Sequence, residues 1–115
     1  MGMIISQKLI VRYTELKQEA GECVLMMQVG AFMQVMNEDA RQVNGVTGLK
    51  LKMAGDVDQP VVIGGFPKSG LDKYVGMLVR KGYSIAIAEQ DTEKNRNITE
   101  FIDINKRQAV LDPAQ

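Results

Sequence analysis

The sequence predicts an α+β fold, a mixed β-sheet of about five to six strands flanked by about three helices. The unbroken apolar run at 23–27 is typical of a strand that is covered on both faces, and residues 84–88, with the sequence SIAIA, predict a second buried strand. Amphipathic segments with helical spacing lie between the strand candidates. The chain has 115 residues, of which 45% are hydrophobic and 24% charged, and this is ordinary for one globular domain. We therefore expect a single domain over residues 1–115.

The N-terminal segment predicts one helix and one interrupted strand. Ser6 can cap a helix that ends before Gly21, with an apolar side formed by Leu9, Tyr13, Leu16 and Ala20. A strand is expected from 23 to 29, resuming from 32 to 36. Gly30 and Ala31 interrupt it, and such a break often marks a bulge or a close approach of another chain or ligand.

The next stretch predicts a short helix and a hairpin. Asn37 is expected to cap the helix, Asp39 suits the positive end of its dipole, and Asn44-Gly45 is its expected stop. Residues 48–53 alternate strictly, which places Lys50 and Lys52 on an outer face and Leu49, Leu51 and Met53 on an inner one. A polar loop at 55–59 leads into a buried strand over 60–65, so the two strands are expected to pair antiparallel.

The C-terminal half predicts one more helix and three strands. Ser69 with Asp72 resembles a capping box, and Gly82 ends a helix whose apolar stripe is Leu71, Val75, Leu78 and Val79. Residues 84–88 predict a buried strand, and 91–97 a charged loop. Residues 98–104 and 108–111 predict a final hairpin.

Charge and cysteine content exclude several classes of protein. Lys and Arg number 14, as do Asp and Glu, whereas a free-standing nucleic-acid binder usually carries a basic excess. There is no histidine, and the one cysteine, Cys23, is expected to be an inert thiol. No apolar run approaches the roughly 20 residues that span a bilayer, and no secretory signal is recognisable. We expect a cytoplasmic protein without a membrane partner.

Two patterns leave alternatives open. Asp56 and Asp58 could hold a metal together with Glu89, but a solvated loop is the favoured interpretation. Gly64-Gly65, followed by Lys68 and Ser69, resembles a phosphate-binding loop at a helix start. The Walker spacing is absent, so a tight turn is favoured. No enzyme class is supported by these residues.

The stretch after Gly30 contains the most informative candidates for binding residues. Phe32 and Gln34 are two residues apart, so in an extended chain they share one face while Met33 points to the other. From the local sequence alone, Phe32 is more often a core residue than an exposed one. Lys50 and Lys52 form by default a solvated strand face, with contacts to phosphate as the alternative.

Several stretches, in order and over nearly the whole chain, resemble the N-terminal mismatch-recognition domain, domain I, of the MutS family of DNA mismatch-repair proteins. Residues 27–36 are similar to the family's Met-Gly-Asp-Phe-Tyr-Glu-Leu-Phe stretch, and residues 38–40 to its Glu-Asp-Ala. Residues 65–67 match its Gly-x-Pro, and 78–90 follow the segment that ends Val-Ala-Ile-Cys-Glu-Gln.

The resemblance implies a role in DNA mismatch repair for the residues at the matched positions. In the family, the Phe of a Phe-x-Glu pair enters the minor groove and stacks at the mispaired base, to which the Glu forms a hydrogen bond. Phe32 corresponds to that wedge, Gln34 replaces the Glu, and Met33 replaces the Tyr between them. A mispair has already lost stacking and pairing energy, so wedging is less costly there. A neutral amide makes no charge-assisted bond, so altered discrimination is expected.

The expected partners are mismatched double-stranded DNA and a MutS-family or other repair protein, with nucleoid association if DNA is bound. The expected DNA-binding residues are Phe32, Gln34, Met33, Lys50, Lys52 and Lys68. No cofactor is expected in this chain, because ATP and magnesium belong to a separate ATPase domain of the family. The alternative is a non-catalytic protein-interaction domain that keeps the fold without mismatch readout.

Overall fold

The sheet in the computed structural model has six strands, and the structure describes residues 6–104. The elements in chain order are α1 (Gln7–Ala20), β1 (Val24–Val29), β2 (Phe32–Met36), α2 (Asn37–Thr47), β3 (Lys52–Asp56), β4 (Gln59–Pro67), a 3-10 turn (Lys68–Gly70), α3 (Leu71–Arg80), β5 (Ile85–Gln90) and β6 (Arg96–Ile102). The strand order is β3-β4-β2-β1-β5-β6. β1 and β5 pair in parallel, and the other neighbours pair antiparallel. The predicted α+β fold with a mixed sheet is confirmed.

The sheet separates two apolar clusters. On one face, Tyr13 and Leu16 of α1 cover Leu25 and Met27. On the other face, residues of α2 and α3 pack on the alternate positions of β1 and β2, among them Val24, Met26, Met33 and Val35. Because β1 is covered on both sides, every position from Val24 to Met27 is apolar, which explains the unbroken run in the sequence.

The first helix forms as predicted, but the strand that follows it is two strands. The Ser6 hydroxyl accepts a hydrogen bond from the Leu9 amide at 3.3 Å, which caps α1. β1 and β2 form an antiparallel hairpin in which Val29 pairs with Phe32. The prediction of one interrupted strand is therefore wrong. Gly30 has a φ of 62° and is the first of the two turn residues, where a short hairpin needs a positive φ.

The second helix departs from its prediction at both ends. Asn37 does not cap it: its φ is 54°, and its side-chain oxygen accepts from the Val62 amide at 3.4 Å, because β4 lies within reach. Gly45 lies inside the helix, which continues to Thr47 and ends at Gly48 in the left-handed conformation. Asp39 is buried, and its contacts are tertiary rather than an interaction with the helix dipole alone.

The predicted hairpin of β3 and β4 is confirmed with different bounds. β3 begins at Lys52 rather than at 48, and the loop shortens to the two residues between Asp56 and Gln59. Leu49 and Leu51 pack over Gly64, where an added Cβ would lie 2.9 Å from a methyl of each leucine. Met53 is 60% exposed, contrary to its predicted inward position, on a strand at the edge of the sheet.

The C-terminal half also shows two differences. Ser69 lies in the 3-10 turn, and no side chain caps α3 at Gly70, so the predicted capping box is wrong. β6 begins at Arg96 because Asp91 closes a tight turn, accepting from the Glu93 and Asn95 amides at 2.9 Å. The strand expected at 108–111 lies outside the described residues. No helix in the described part of the chain has the length and apolarity of a membrane span.

Candidate nucleic-acid interface

One end of the sheet carries the candidate site, and we call it the tip: the turn Gly30–Ala31, Phe32, Lys68 and Gln90. The strand directions bring these residues together. β1 and the parallel β5 both end there, and the last residue of β4, Pro67, pairs with Phe32. Residues distant in sequence therefore form one surface at the end of the sheet.

Phe32 is the exposed aromatic residue of the tip. It is the first residue of β2, and 51% of its surface is accessible. The next residues on its face, Gln34 and Met36, are buried, so the strand emerges from the core at Phe32. Pairing with both Val29 and Pro67 fixes its backbone between two neighbouring strands. The arrangement presents a ring of large area on a rigid base, which suits stacking on a flat ligand.

Met33 and Gln34 are not at the surface. Met33 is fully buried in the cluster beneath α2 and α3, because the alternation of β2 turns it to the opposite face from Phe32. Gln34 shares the face of Phe32 but is only 6% exposed. It lies beside Gly65, where an added Cβ would be 3.6 Å from its amide nitrogen. Both side chains are therefore buried in this structure, and their contact with DNA stays a prediction.

The three lysines are divided between two regions. The Lys68 amide donates to the Ala31 carbonyl at 2.8 Å, which places this residue beside Phe32. Lys52 pairs with Ile63, four residues before Pro67, so it lies about 13 Å away along β4. Lys50 and Lys52 are both exposed. The structure thus brings Lys68 to the tip and leaves the other two lysines outside it.

Three residues that the sequence did not single out hold the tip together: Gln28, Gln90 and Arg96. The Gly30 amide donates to Gln90 Oε1 at 2.8 Å, and Gln28 Nε2 donates to the Gly30 carbonyl at 2.9 Å. Arg96 Nε donates to the Gln28 carbonyl at 2.6 Å. Gln90 ends the segment that resembles the family's Glu-Gln, which was a usable signal; nothing in the local pattern marked Gln28 or Arg96.

The charged groups beside the turn are paired with one another. Lys68 Nζ lies 3.4 Å from Glu89 Oε2 and 3.5 Å from Gln28 Oε1. Thr99 donates to Glu89 Oε1 at 2.6 Å. This hydrogen bond, and then Lys68, lowers the pKa of Glu89 below its ordinary value. Burial lowers the pKa of Arg96. A shallow cavity of about 310 Å³ lies between Lys68, Glu89 and Thr99.

The other candidate patterns do not form sites. Gly64 and Gly65 lie within β4, so neither a phosphate-binding loop nor a tight turn is present there. Asp56 is on β3 and Glu89 on β5, with three strands between them. Among residues 6–104 no acidic, cysteine or histidine cluster could hold a metal ion. Cys23 is partly buried, and desolvation raises the pKa of its thiol, which disfavours the reactive thiolate.

Comparison with known proteins finds a matching family and relatives that carry the same family name. The family described as MutS domain I matches residues 7–110. The chain is 33% identical over 107 residues to the DNA mismatch repair protein MutS of Porphyromonas gingivalis, covering 86% of this chain and 12% of that protein. It is 34% identical over 80 residues to MutS of Rhodopirellula baltica, covering 69% of this chain and 9% of that protein. The chain thus spans 12% and 9% of the lengths of these two relatives.

Proposed function

This chain belongs to the MutS domain I family, and we propose that it is a non-catalytic DNA-binding module that recognises mispaired bases through Phe32 and serves DNA mismatch repair. The observation that carries the proposal is the half-exposed ring of Phe32 on the hairpin at the tip. The ring occupies the position at which the resemblance expects a wedge. The shape of the base step, rather than the identity of the base, is then what the module reads.

The energetics of stacking favour a mispaired step. Stacking a base on an aromatic side chain is worth about 1–3 kcal/mol. Unstacking a paired step costs a few kcal/mol, which cancels that gain, whereas a mispaired step is already weakened. Phe32 therefore gains binding energy chiefly where pairing is defective.

Charge contributes less than the ring in this proposal. The formal net charge is zero, so non-specific attraction to phosphates is weak. Lys68 is the lysine beside Phe32, and a phosphate would compete with Glu89 for its ammonium group. Gln34 brings a buried neutral amide where the resemblance expects a carboxylate, so we propose that discrimination among mispairs differs from that of Phe-x-Glu members.

Binding to two duplexes of equal length tests the function. Fluorescence anisotropy at low salt compares a duplex with one mispair and the fully paired duplex, for the chain and for Phe32→Ala. The matched control is Phe101→Ala, because Phe101 is 54% exposed but lies on β6 and pairs with Ala86, away from the tip. We expect tighter binding to the mispaired duplex, lost in Phe32→Ala and kept in Phe101→Ala. Equal binding that does not depend on Phe32 would refute the proposal.

A second candidate function is protein interaction without mismatch readout. The zero net charge and the buried Gln34 favour it, because both weaken contact with DNA. The partner would be a MutS-family or other repair protein. Absence of DNA binding in the same titration, together with a repair protein recovered by pull-down, would support this candidate over the first.

A further inference from the structure

We propose that Gln90 and Gln28 are positioning residues that fix the Gly30–Ala31 turn, and through it the approach angle of Phe32, and so set the mismatch preference of the module. The inference rests on the proposed function, since it concerns how the Phe32 wedge is presented. Neither glutamine needs to contact a base for this role.

The turn is held by hydrogen bonds from three separate elements. Gln90 at the end of β5 accepts from the Gly30 amide at 2.8 Å, and Gln28 of β1 donates to the Gly30 carbonyl at 2.9 Å. The Lys68 amide, in the 3-10 turn, donates to the Ala31 carbonyl at 2.8 Å. Turn peptides at the end of a sheet are usually left to water. Here three of them are bound by protein.

The two glutamines also bind each other. The backbone amide of Gln90 donates to Gln28 Oε1 at 2.9 Å, and Arg96 Nε of β6 donates to the backbone carbonyl of Gln28 at 2.6 Å. β1, β5 and β6 are therefore linked at the tip by more than their strand ladders. Movement of the turn would break several of these bonds together, which keeps it in one conformation.

The backbone partners fix what each side chain must supply. A backbone amide can only donate, so the atom of Gln90 that meets the Gly30 amide is an oxygen. Gln28 must supply an oxygen to the Gln90 amide and a nitrogen to the Gly30 carbonyl. A glutamate at position 90 would keep its acceptor. A glutamate at position 28 would lose its donor and face a carbonyl oxygen.

Fixing the turn in advance matters because Phe32 follows it directly. A side chain that is already ordered loses less conformational entropy on binding. A supporting shell also decides whether a binding group is held at the productive angle. Releasing the turn is therefore expected to weaken stacking of Phe32 at the mispaired base, which needs an exact ring position. It is not expected to act through the general attraction to the duplex.

The test uses the 115-residue chain with Gln90→Ala and Gln90→Glu, each with Phe32 intact and with Phe32→Ala. The matched control is Gln59→Ala, an exposed glutamine at the opposite end of β4. The quantity measured is the ratio of affinities for mispaired and paired duplexes. We expect Gln90→Ala to lower this ratio about fivefold, the value of one net hydrogen bond. Gln90→Glu keeps the ratio while its charge weakens binding to both duplexes.

The cycle with Phe32→Ala separates positioning from a purely structural role. If Gln90 acts through Phe32, its replacement has no further effect once the ring is gone. Two results would overturn the inference and leave the proposed function standing. One is a further fall of the affinity ratio when Gln90→Ala is added to Phe32→Ala. The other is an unchanged affinity ratio in Gln90→Ala when Phe32→Ala alone abolishes the preference for the mispaired duplex.

Hydrogen exchange of the Gly30 amide keeps the inference testable without DNA. We expect exchange to accelerate about fivefold in Gln90→Ala and to stay near the original rate in Gln90→Glu. If the chain shows no mismatch preference, the proposed function fails, and accelerated exchange still supports the positioning of the turn. Unchanged Gly30 exchange in Gln90→Ala would overturn it.

Discussion

Replacement of Asp39 by alanine is expected to destabilise the fold more than any change of a surface carboxylate. Asp39 is 2% exposed, and its carboxylate accepts from the Tyr13 hydroxyl, from Lys17 Nζ at 2.8 Å and from the Leu25 amide at 3.3 Å. It therefore joins α1, β1 and α2. Burial, and then the charge of Asp39, raises the pKa of Tyr13, so the phenol remains a neutral donor to the carboxylate.

The size of the effect follows from what the three donors lose. Breaking a buried ion pair from one side costs about 3–5 kcal/mol. Lys17 is 33% exposed and would still donate to the Cys23 carbonyl at 2.6 Å, so the loss of its ion pair contributes less than that to the free energy of unfolding. Without Asp39, the single hydroxyl proton of Tyr13 can turn to the Leu25 carbonyl, which lies 2.8 Å from the phenolic oxygen. We therefore expect a loss of about 3 kcal/mol, which lowers Tm by about 10 °C in a domain of this size.

Urea unfolding followed by circular dichroism measures this loss, since the chain has no tryptophan. The control is Glu38→Ala at the preceding position, where the side chain is 72% exposed and lies 3.8 Å from Arg41. An exposed pair of this kind contributes little, so the control is expected to change stability by less than about 0.5 kcal/mol. An Asp39→Ala loss within about 1 kcal/mol of the control would refute the reasoning.

Three further predictions concern the sheet and the tip. Gly64→Ala should lower the free energy of unfolding, measured in urea, by about 1–2 kcal/mol, because the added Cβ would lie 2.9 Å from two leucine methyls. Gly65→Ala should be tolerated, because the nearest atoms to its added Cβ lie 3.6 Å away. The pKa of Glu89, followed by NMR, should lie below the ordinary value of a glutamate and rise in Thr99→Val, and an unshifted pKa would contradict the contacts described. Because the folded pKa is depressed, the stabilising contribution of Glu89 is present above its unfolded pKa and is lost as the pH falls through its folded pKa. Lys68→Ala should reduce the salt dependence of DNA binding by about 0.9 in log–log slope, whereas Lys52→Ala should leave it unchanged.

Local patterns predicted the elements where neighbours in sequence decide the structure. The cap at Ser6 and the apolar spacing of α1 are set within one helix, and both are confirmed. Asn37 has equally good capping chemistry, but its oxygen is taken by the Val62 amide, 25 residues away. A strand that resumes and a tight hairpin share the same alternation, so the turn at Gly30 could not be distinguished from a bulge by pattern alone.

The candidate site was predictable only in part, for a related reason. Phe32 followed from the resemblance, and its exposure agrees with a surface role. Gln34 shares that face, but how deeply a strand position is buried depends on the helix that covers it. The bond between the Gly30 amide and Gln90 joins residues 60 apart, so no local spacing announces it. Prediction of such supporting contacts requires the fold.

Stacking of Phe32 at a mispaired base is the central claim, and the fluorescence of 2-aminopurine placed in the mispair tests it most directly. Emission from this base depends on its stacking. With saturating protein, we expect emission from the mispaired duplex to change for the chain and for Phe101→Ala, and to stay at the level of free DNA for Phe32→Ala. An identical change with Phe32→Ala, at equal saturation, would contradict the account.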